Sequence, residues 1–177
     1  MAVTISQQEG LPTAYPATPT GATTSASAAK VIWDRIEARC AHRWTARQVT
    51  WIVEGEGEWT PPLAPATITS AEVWESHAWT ATTLNPSALG GFELPGDGPY
   101  RFTATVGGGE VPPAVAKAFV RLAEYIFAAS EMPAGASKHS LSIGDAITRD
   151  TTRNPAWLAR AMDYSGAADL LRPYRSL

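Results

Sequence analysis

The spacing of the large apolar residues changes twice along this chain, and each change confines the fold. Trp33, Ile36, Cys40 and Trp44 recur at steps of three and four, the period of one helix face. Val49, Trp51 and Val53 then alternate, the two-residue period of a strand with one buried side. Tyr100, Phe102 and Val106 also lie on alternating positions, and from Val115 the helical step returns through Phe119, Leu122 and Ile126, with Tyr125 beside them. Helix, then strands, then helix predicts an α+β fold: a helical body of three to four helices with a β-rich insertion between the first helix and the long central helix. With 177 residues, 45% of them apolar, the chain can bury one domain core and still carry extensions.

Punctuation residues set the expected boundaries. Residues 10–29 are rich in Pro, Thr, Ala, Ser and Gly and almost uncharged, so residues 1–27 are expected to be an extended or mobile segment. Ser25 or Ser27 can cap a helix over about 26–43, which also carries Arg35, Arg39 and Arg43 at steps of four on another face. Strands are expected at 67–75 and 78–84. Phe92-Glu-Leu, the turn Pro95-Gly-Asp-Gly-Pro and Tyr100 to Val106 predict a hairpin. After Gly107-Gly-Gly, Pro112 and Pro113 open a helix over about 112–129, because proline has no N–H to lose in a first turn. Asn154-Pro155 predicts a further helix near 154–163, and Ser165 a short one through Leu171, stopped by Pro173.

Few residues here suggest chemistry. No apolar run approaches the roughly 20 residues needed to cross a bilayer. The start, Met1-Ala-Val-Thr-Ile-Ser, lacks the basic-then-apolar layout of a secretory leader, so a soluble, intracellularly made protein is expected. Cys40 is the single cysteine, which excludes an internal disulfide and cysteine-built zinc sites, and its place on an apolar stripe reads as an inert buried thiol. His42, His77 and His139 have no partner at ligand spacing, so no metal is expected. Gly107-Gly-Gly lacks the Gly-Lys-Ser/Thr ending of a phosphate loop. Glu54, Glu56 and Glu58 alternate in a Gly-rich turn, where acids solvate more often than they catalyse. No catalytic constellation, cofactor site or enzyme activity is expected. Five of the seven tryptophans fall between residues 44 and 79, among them Trp59 and Trp74. They suggest either a core with an inter-subunit surface or the stacking platform of a small carbohydrate- or ligand-binding module.

Charge is unevenly spread. Residues 30–47 carry a net of +3, residues 48–110 a net of −7 and residues 111–177 a net of +2. An acidic middle between basic ends suits a chain that associates with copies of itself, basic face to acidic face.

The order of several short motifs is more specific than any one of them. Ile36-Glu-Ala-Arg-Cys-Ala-His-Arg-Trp-Thr leads into Gln48-Val-Thr-Trp-Ile-Val, then Pro61-Pro-Leu, then Gly98-Pro-Tyr-Arg-Phe-Thr-Ala-Thr-Val-Gly. Val111-Pro-Pro-Ala-Val-Ala-Lys-Ala-Phe-Val-Arg-Leu-Ala-Glu-Tyr follows, and the chain closes on Asp169-Leu-Leu-Arg-Pro-Tyr-Arg. Over roughly residues 28–177 this series resembles the head–tail connector (adaptor) family of long-tailed bacteriophages and gene transfer agents. Phe127-Ala-Ala-Ser-Glu131 stands where members often carry Tyr-Glu-Asn-Arg-Glu, and the stretch at 134–144 is particular to this chain. The resemblance implies a virion structural protein of the neck, made in the bacterial cytoplasm. Such adaptors form a homo-oligomeric ring, usually of twelve subunits, between the portal protein and the stopper or tail-completion protein. Double-stranded DNA passes through that ring without sequence-specific binding. The resemblance also divides the chain into an adaptor domain at 28–169, with its β-rich insertion at about 48–107, and a portal-docking tail at 170–177. Leu170, Leu171, Arg172, Pro173, Tyr174, Arg175 and Leu177 would carry the docking. Within a ring, Arg35, Arg39 and Arg43 are expected to face Glu54, Glu56, Glu58, Trp59 and Trp74 of the next subunit.

Overall fold

The computed structural model describes residues 1–88, 90–130, 132, 136–143 and 147–175. They mix α and β structure, with four helices and antiparallel sheets, in two units that each hold their own core.

The first unit joins residues 1–16 to residues 40–110. Its strands are β1 (Val3–Glu9), β2 (Arg47–Glu54), β3 (Gly57–Trp59), β4 (Ala66–Glu75), β5 (Ala78–Ala81), β6 (Asn85–Pro86), β7 (Phe92–Leu94) and β8 (Tyr100–Val106). Five of them form an antiparallel sheet in the order β1-β2-β8-β4-β5. The alternation read from the sequence sets its register. Val49, Trp51 and Val53 of β2 and Tyr100, Phe102, Ala104 and Val106 of β8 are buried on one face. Trp59 stacks on Phe102 at 4.2 Å between ring centroids, and Phe92 lies 5.6 Å from the same ring. The small sheet β3-β7-β6 therefore covers the apolar face of the large one. Truncating one such buried aromatic to alanine would cost about 3–5 kcal/mol.

Two sequence expectations fail in this unit, and a third gains detail. β7 and β8 do not form a hairpin. β7 pairs with β3 and β6, whereas β8 lies between β2 and β4. The link Pro95–Pro99 carries a proline at each end, cannot continue a ladder there, and takes the chain from one sheet to the other. The strand expected at 78–84 stops at Ala81. Residues 3–9, assigned to an extended or mobile segment, are extended but are tied into the sheet as its edge strand against β2. At the far end of β8, Gly107 has φ +97°, and a Cβ there would collide with the Thr45 carbonyl oxygen, so only glycine fits.

The second unit joins residues 17–39 to residues 111–175. Helix α1 (Ala26–Cys40) is capped by Ser25, whose Oγ accepts a hydrogen bond from the Ala28 N–H at 3.2 Å. It buries Ala29, Ile32, Trp33 and Ile36. It ends before the expected residue 43, because Ala41 turns into the left-handed region at φ 51°. Helix α2 (Pro113–Ser130) buries Val115, Ala118, Phe119 and Leu122, and Phe119 meets Trp33 at 4.8 Å. The helix expected at 154–163 is mostly turns: the Asn154 side chain accepts from the Ala156 N–H at 2.8 Å, and only Ala161–Tyr164 forms α3. α4 (Ala167–Leu170) and a 3₁₀ turn (Arg172–Tyr174) follow, so Pro173 lies inside the turn instead of after a helix end. β9 (Lys138–Ile143) and β10 (Ile147–Thr152) pair antiparallel, a pairing not expected from the sequence.

Candidate interaction surfaces

The segment expected to dock, residues 170–177, splits among its described residues into a buried anchor and an exposed end. Leu171 is fully buried, so it holds the tail to its own unit and is not offered at the surface, against the expectation. The Tyr174 N–H donates to the Leu171 carbonyl at 3.0 Å, which winds the following residues into the 3₁₀ turn. Arg172, Pro173 and Arg175 are exposed, Leu170 and Tyr174 are half-buried, and Leu177 lies outside the described residues.

On α1, the exposed Arg39 lies 3.9 Å from Asp163, a solvent-screened pair worth at most about 1 kcal/mol. Arg35 donates from Nη1 to the Leu158 carbonyl at 3.2 Å. Beside Arg35 is an apolar groove of about 580 Å³ lined by Ala28, Val31, Ile32, Ile126, Phe127 and Leu158. Val31, Phe127 and Leu158 are 54%, 53% and 41% exposed. The sequence stripes missed this groove because Val31 and Phe127 lie beside the core-facing positions. Their signal is an apolar width greater than one core face requires.

The β unit shows why two further assignments fail. Arg43 was expected at a subunit contact, but it is only 8% exposed and is held inside its own unit. Its Nε and Nη2 donate to the two carboxylate oxygens of Glu9 at 2.8 and 2.9 Å, and Arg47 approaches the same carboxylate at 3.6 Å. The hydrogen bonds from Arg43, ahead of its charge and that of Arg47, hold the Glu9 carboxyl below its usual range. Trp59 is likewise buried, its Nε1 donating to Thr4 Oγ1 at 2.8 Å. The third base of the unit, Arg101, donates from Nε to Glu72 at 2.7 Å and lies 4.6 Å over the Trp79 ring. This bond lowers the Glu72 pKa and raises that of Arg101. All three arginines of the unit thus face its own carboxylates.

Glu54, Glu56 and Glu58 are exposed, as are Glu75, Glu93, Asp97 and Glu110, and Glu58 accepts from the Ser87 hydroxyl at 2.7 Å. The first unit holds nine acids and three bases, a net of −6; the second holds eight acids and eleven bases, a net of +3. The tryptophan platform is reduced by burial, since Trp44, Trp51 and Trp59 are core residues. Trp74 and Trp79 remain, edge to face at 5.2 Å and 64°. Among the described residues, no group of three or more His, Cys, Asp or Glu side chains could hold a metal ion, and no helix is long and apolar enough to cross a membrane.

A scan against protein-family models gives no match, and no curated protein matches the sequence. Solved structures do match. Over 85% of its length the chain follows 76% of a chain in the virion of a native gene transfer agent particle, with a TM-score of 0.53 and 18% identity. The same share follows 77% of a chain in the neck of an empty gene transfer agent particle computed with C6 symmetry, with a TM-score of 0.50 and 19% identity. The fold is one found in gene transfer agent particles. At these identities the likeness is one of fold, and it spans most of both chains.

Proposed function

We propose that this chain is a structural head–tail adaptor. It forms a homo-oligomeric ring, twelve subunits in the family it resembles, between the portal and the stopper or tail of a phage-like particle. The observation that carries this reading is the fold shared with chains of the gene transfer agent virion and of its neck. Charge supports the ring: one unit is net acidic, the other net basic, and a ring contact brings two different faces of the same protein together. The acidic surface also suits a DNA exit channel, because it repels the phosphates of passing double-stranded DNA. In this reading residues 28–169 are the adaptor body, a helical body into which the β-rich segment at 48–107 is inserted. Residues 1–27 supply an additional edge strand, and residues 170–177 dock on the portal. Docking falls to Arg172, Pro173, Tyr174 and Arg175, with Leu171 as their anchor; the work is geometric and includes no chemical step.

The test is co-purification of the full chain with a portal ring. The intact chain is expected to bind, and a chain with Arg172 and Arg175 both changed to Glu is expected to lose at least tenfold in affinity while keeping its thermal midpoint. A full chain that never binds the portal refutes the neck assignment; a double variant that binds unchanged refutes the tail assignment alone.

A further inference from the structure

A row of backbone hydrogen-bonding groups lies open along the outer edge of β1, which pairs with β2 on one side only. The Gly10 N–H donates to the Gln48 carbonyl at 2.8 Å and so sets the phase of the ladder. Bonded pairs alternate along antiparallel strands, so Ser6 and Gln8 bond β2 while the N–H and C=O of Gln7 point outward. Natural edges are blunted by lysine, proline or short length, and β1 has none of these over its seven residues, only a register shift between Thr4 and Ser6. Its Val3 and Ile5 are 52% and 56% exposed.

A second open row runs along β9. β9 and β10 make a sheet of two strands, which no third strand joins among the described residues. Two strands alone are marginal in water, and a third adds the pairing they lack. The Arg153 N–H donates to the Ser137 carbonyl at 2.8 Å. By the same alternation residues 139 and 141 bond β10, and the N–H and C=O of Lys138, Ser140 and Ser142 turn outward.

We propose that β1 of one copy of this chain adds to the free edge of β9 of the next, joining the five-stranded sheet of one subunit to the two-stranded sheet of its neighbour. Length selects β1: it has seven residues against six in β9, whereas β5, at the other edge of the large sheet, has four. Charge selects β9 over β10. β9 carries the exposed Lys138 and no acid, whereas β10 carries the exposed Asp150 at mid-strand. The edge arriving on it belongs to the net acidic unit and has the exposed Glu54 opposite Val3. An edge contact between two different strands is heterologous, the kind that closes rings. It rests on the ring reading above and names the surfaces which that reading leaves open.

The experiment uses the full chain. Ser6→Cys and Ser140→Cys proteins, each keeping the buried Cys40, are mixed at about 1 mM and treated with a short bismaleimide. Both positions are exposed and mid-strand, so they meet whether the two strands run parallel or antiparallel. The 6–140 product is expected to exceed two others by about tenfold. One is the 6–6 product, which a twofold edge contact would give; the other is the product of Thr80→Cys on β5 with Ser140→Cys. Ser140→Pro removes an outward N–H and no β9–β10 bond. It is expected to weaken self-association in light scattering by about tenfold while keeping its thermal midpoint, whereas Ser140→Ala leaves association unchanged. A 6–140 yield no higher than the other two, a Ser140→Pro protein that associates as Ser140→Ala does, or a chain that stays monomeric at about 1 mM each overturns the contact. Portal binding, measured separately, decides the neck reading, so either idea can fall without the other.

Discussion

Replacing Glu9 by glutamine should be among the more damaging single-atom changes in the β unit. The Glu9 carboxylate closes a bidentate pair with Arg43 and lies 3.6 Å from Arg47, and the two arginine side chains are 9% and 8% exposed. Removing the negative partner of a buried pair costs about 3–5 kcal/mol, because desolvated cations lose their counter-charge. The Glu9 side chain is itself 23% exposed, and glutamine still accepts a hydrogen bond, so the expected loss is about 2–3 kcal/mol. At an m-value of about 2 kcal/mol/M this moves the urea midpoint by about 1 M, read from tryptophan fluorescence. The pH dependence has a fixed sign. The folded Glu9 pKa lies below the usual 4.5, so near and below that pH the unfolded chain takes up the proton first. The pair's contribution is therefore full above pH 4.5 and is lost as pH falls through the lower folded value, and the gap between wild type and Glu9→Gln should narrow there. A gap under about 0.5 kcal/mol at neutral pH, or one that stays constant as the pH drops, would refute the claim that this carboxylate neutralises buried arginines.

Gly107→Ala should destabilise by at least about 2 kcal/mol, because a left-handed backbone and a collision with the Thr45 carbonyl act together. Gly108→Ala, also at positive φ but with open space around it, should cost only about 1 kcal/mol, and equal losses in thermal unfolding would sink the collision argument. Thr4→Val removes the acceptor for the Trp59 indole N–H and should cost about 1–3 kcal/mol, whereas a neutral result would mean that water replaces it. Self-association of the full chain should weaken as salt rises from low to physiological strength, where the screening length shortens to about 8 Å. Salt-independent association would show that apolar contact alone drives it.

The parts of the fold that were legible in the sequence are those where one face is buried against the chain's own core. Val49, Trp51 and Val53 announced β2, Tyr100, Phe102 and Val106 announced β8, and Phe119 and Leu122 announced α2, because burial on one side leaves a period in the sequence. Pairing left no such mark. Phe92-Glu-Leu alternates as well in one sheet as in another, so its separation from β8 could be decided only by what covers Phe102. β1 was illegible for a related reason: as an edge strand it buries little, and its burial pattern has no alternation for a sequence to show. At the interaction surfaces, charge type could be read from the sequence but availability could not. Arg35 and Arg43 look alike on a helical repeat, yet Arg43 falls beyond the helix end and is enclosed with Glu9, 34 residues away in the chain.

This enclosure sharpens the electrostatic case for a ring. Arg43, Arg47 and Arg101 face Glu9 and Glu72 of their own unit, which leaves seven exposed carboxylates on a unit of net charge −6. Two such surfaces brought face to face repel, so a twofold contact between β units is disfavoured. Two helical units of net charge +3 repel as well, though less. The combination that attracts is the β unit of one copy against the helical unit of the next. Such a contact uses two different surfaces and leaves one of each unsatisfied at the ends of any open row. Closure into a ring removes both ends at once. In the proposed assembly, charge segregation between the units therefore favours contact between unlike units, and so a closed ring over a twofold dimer.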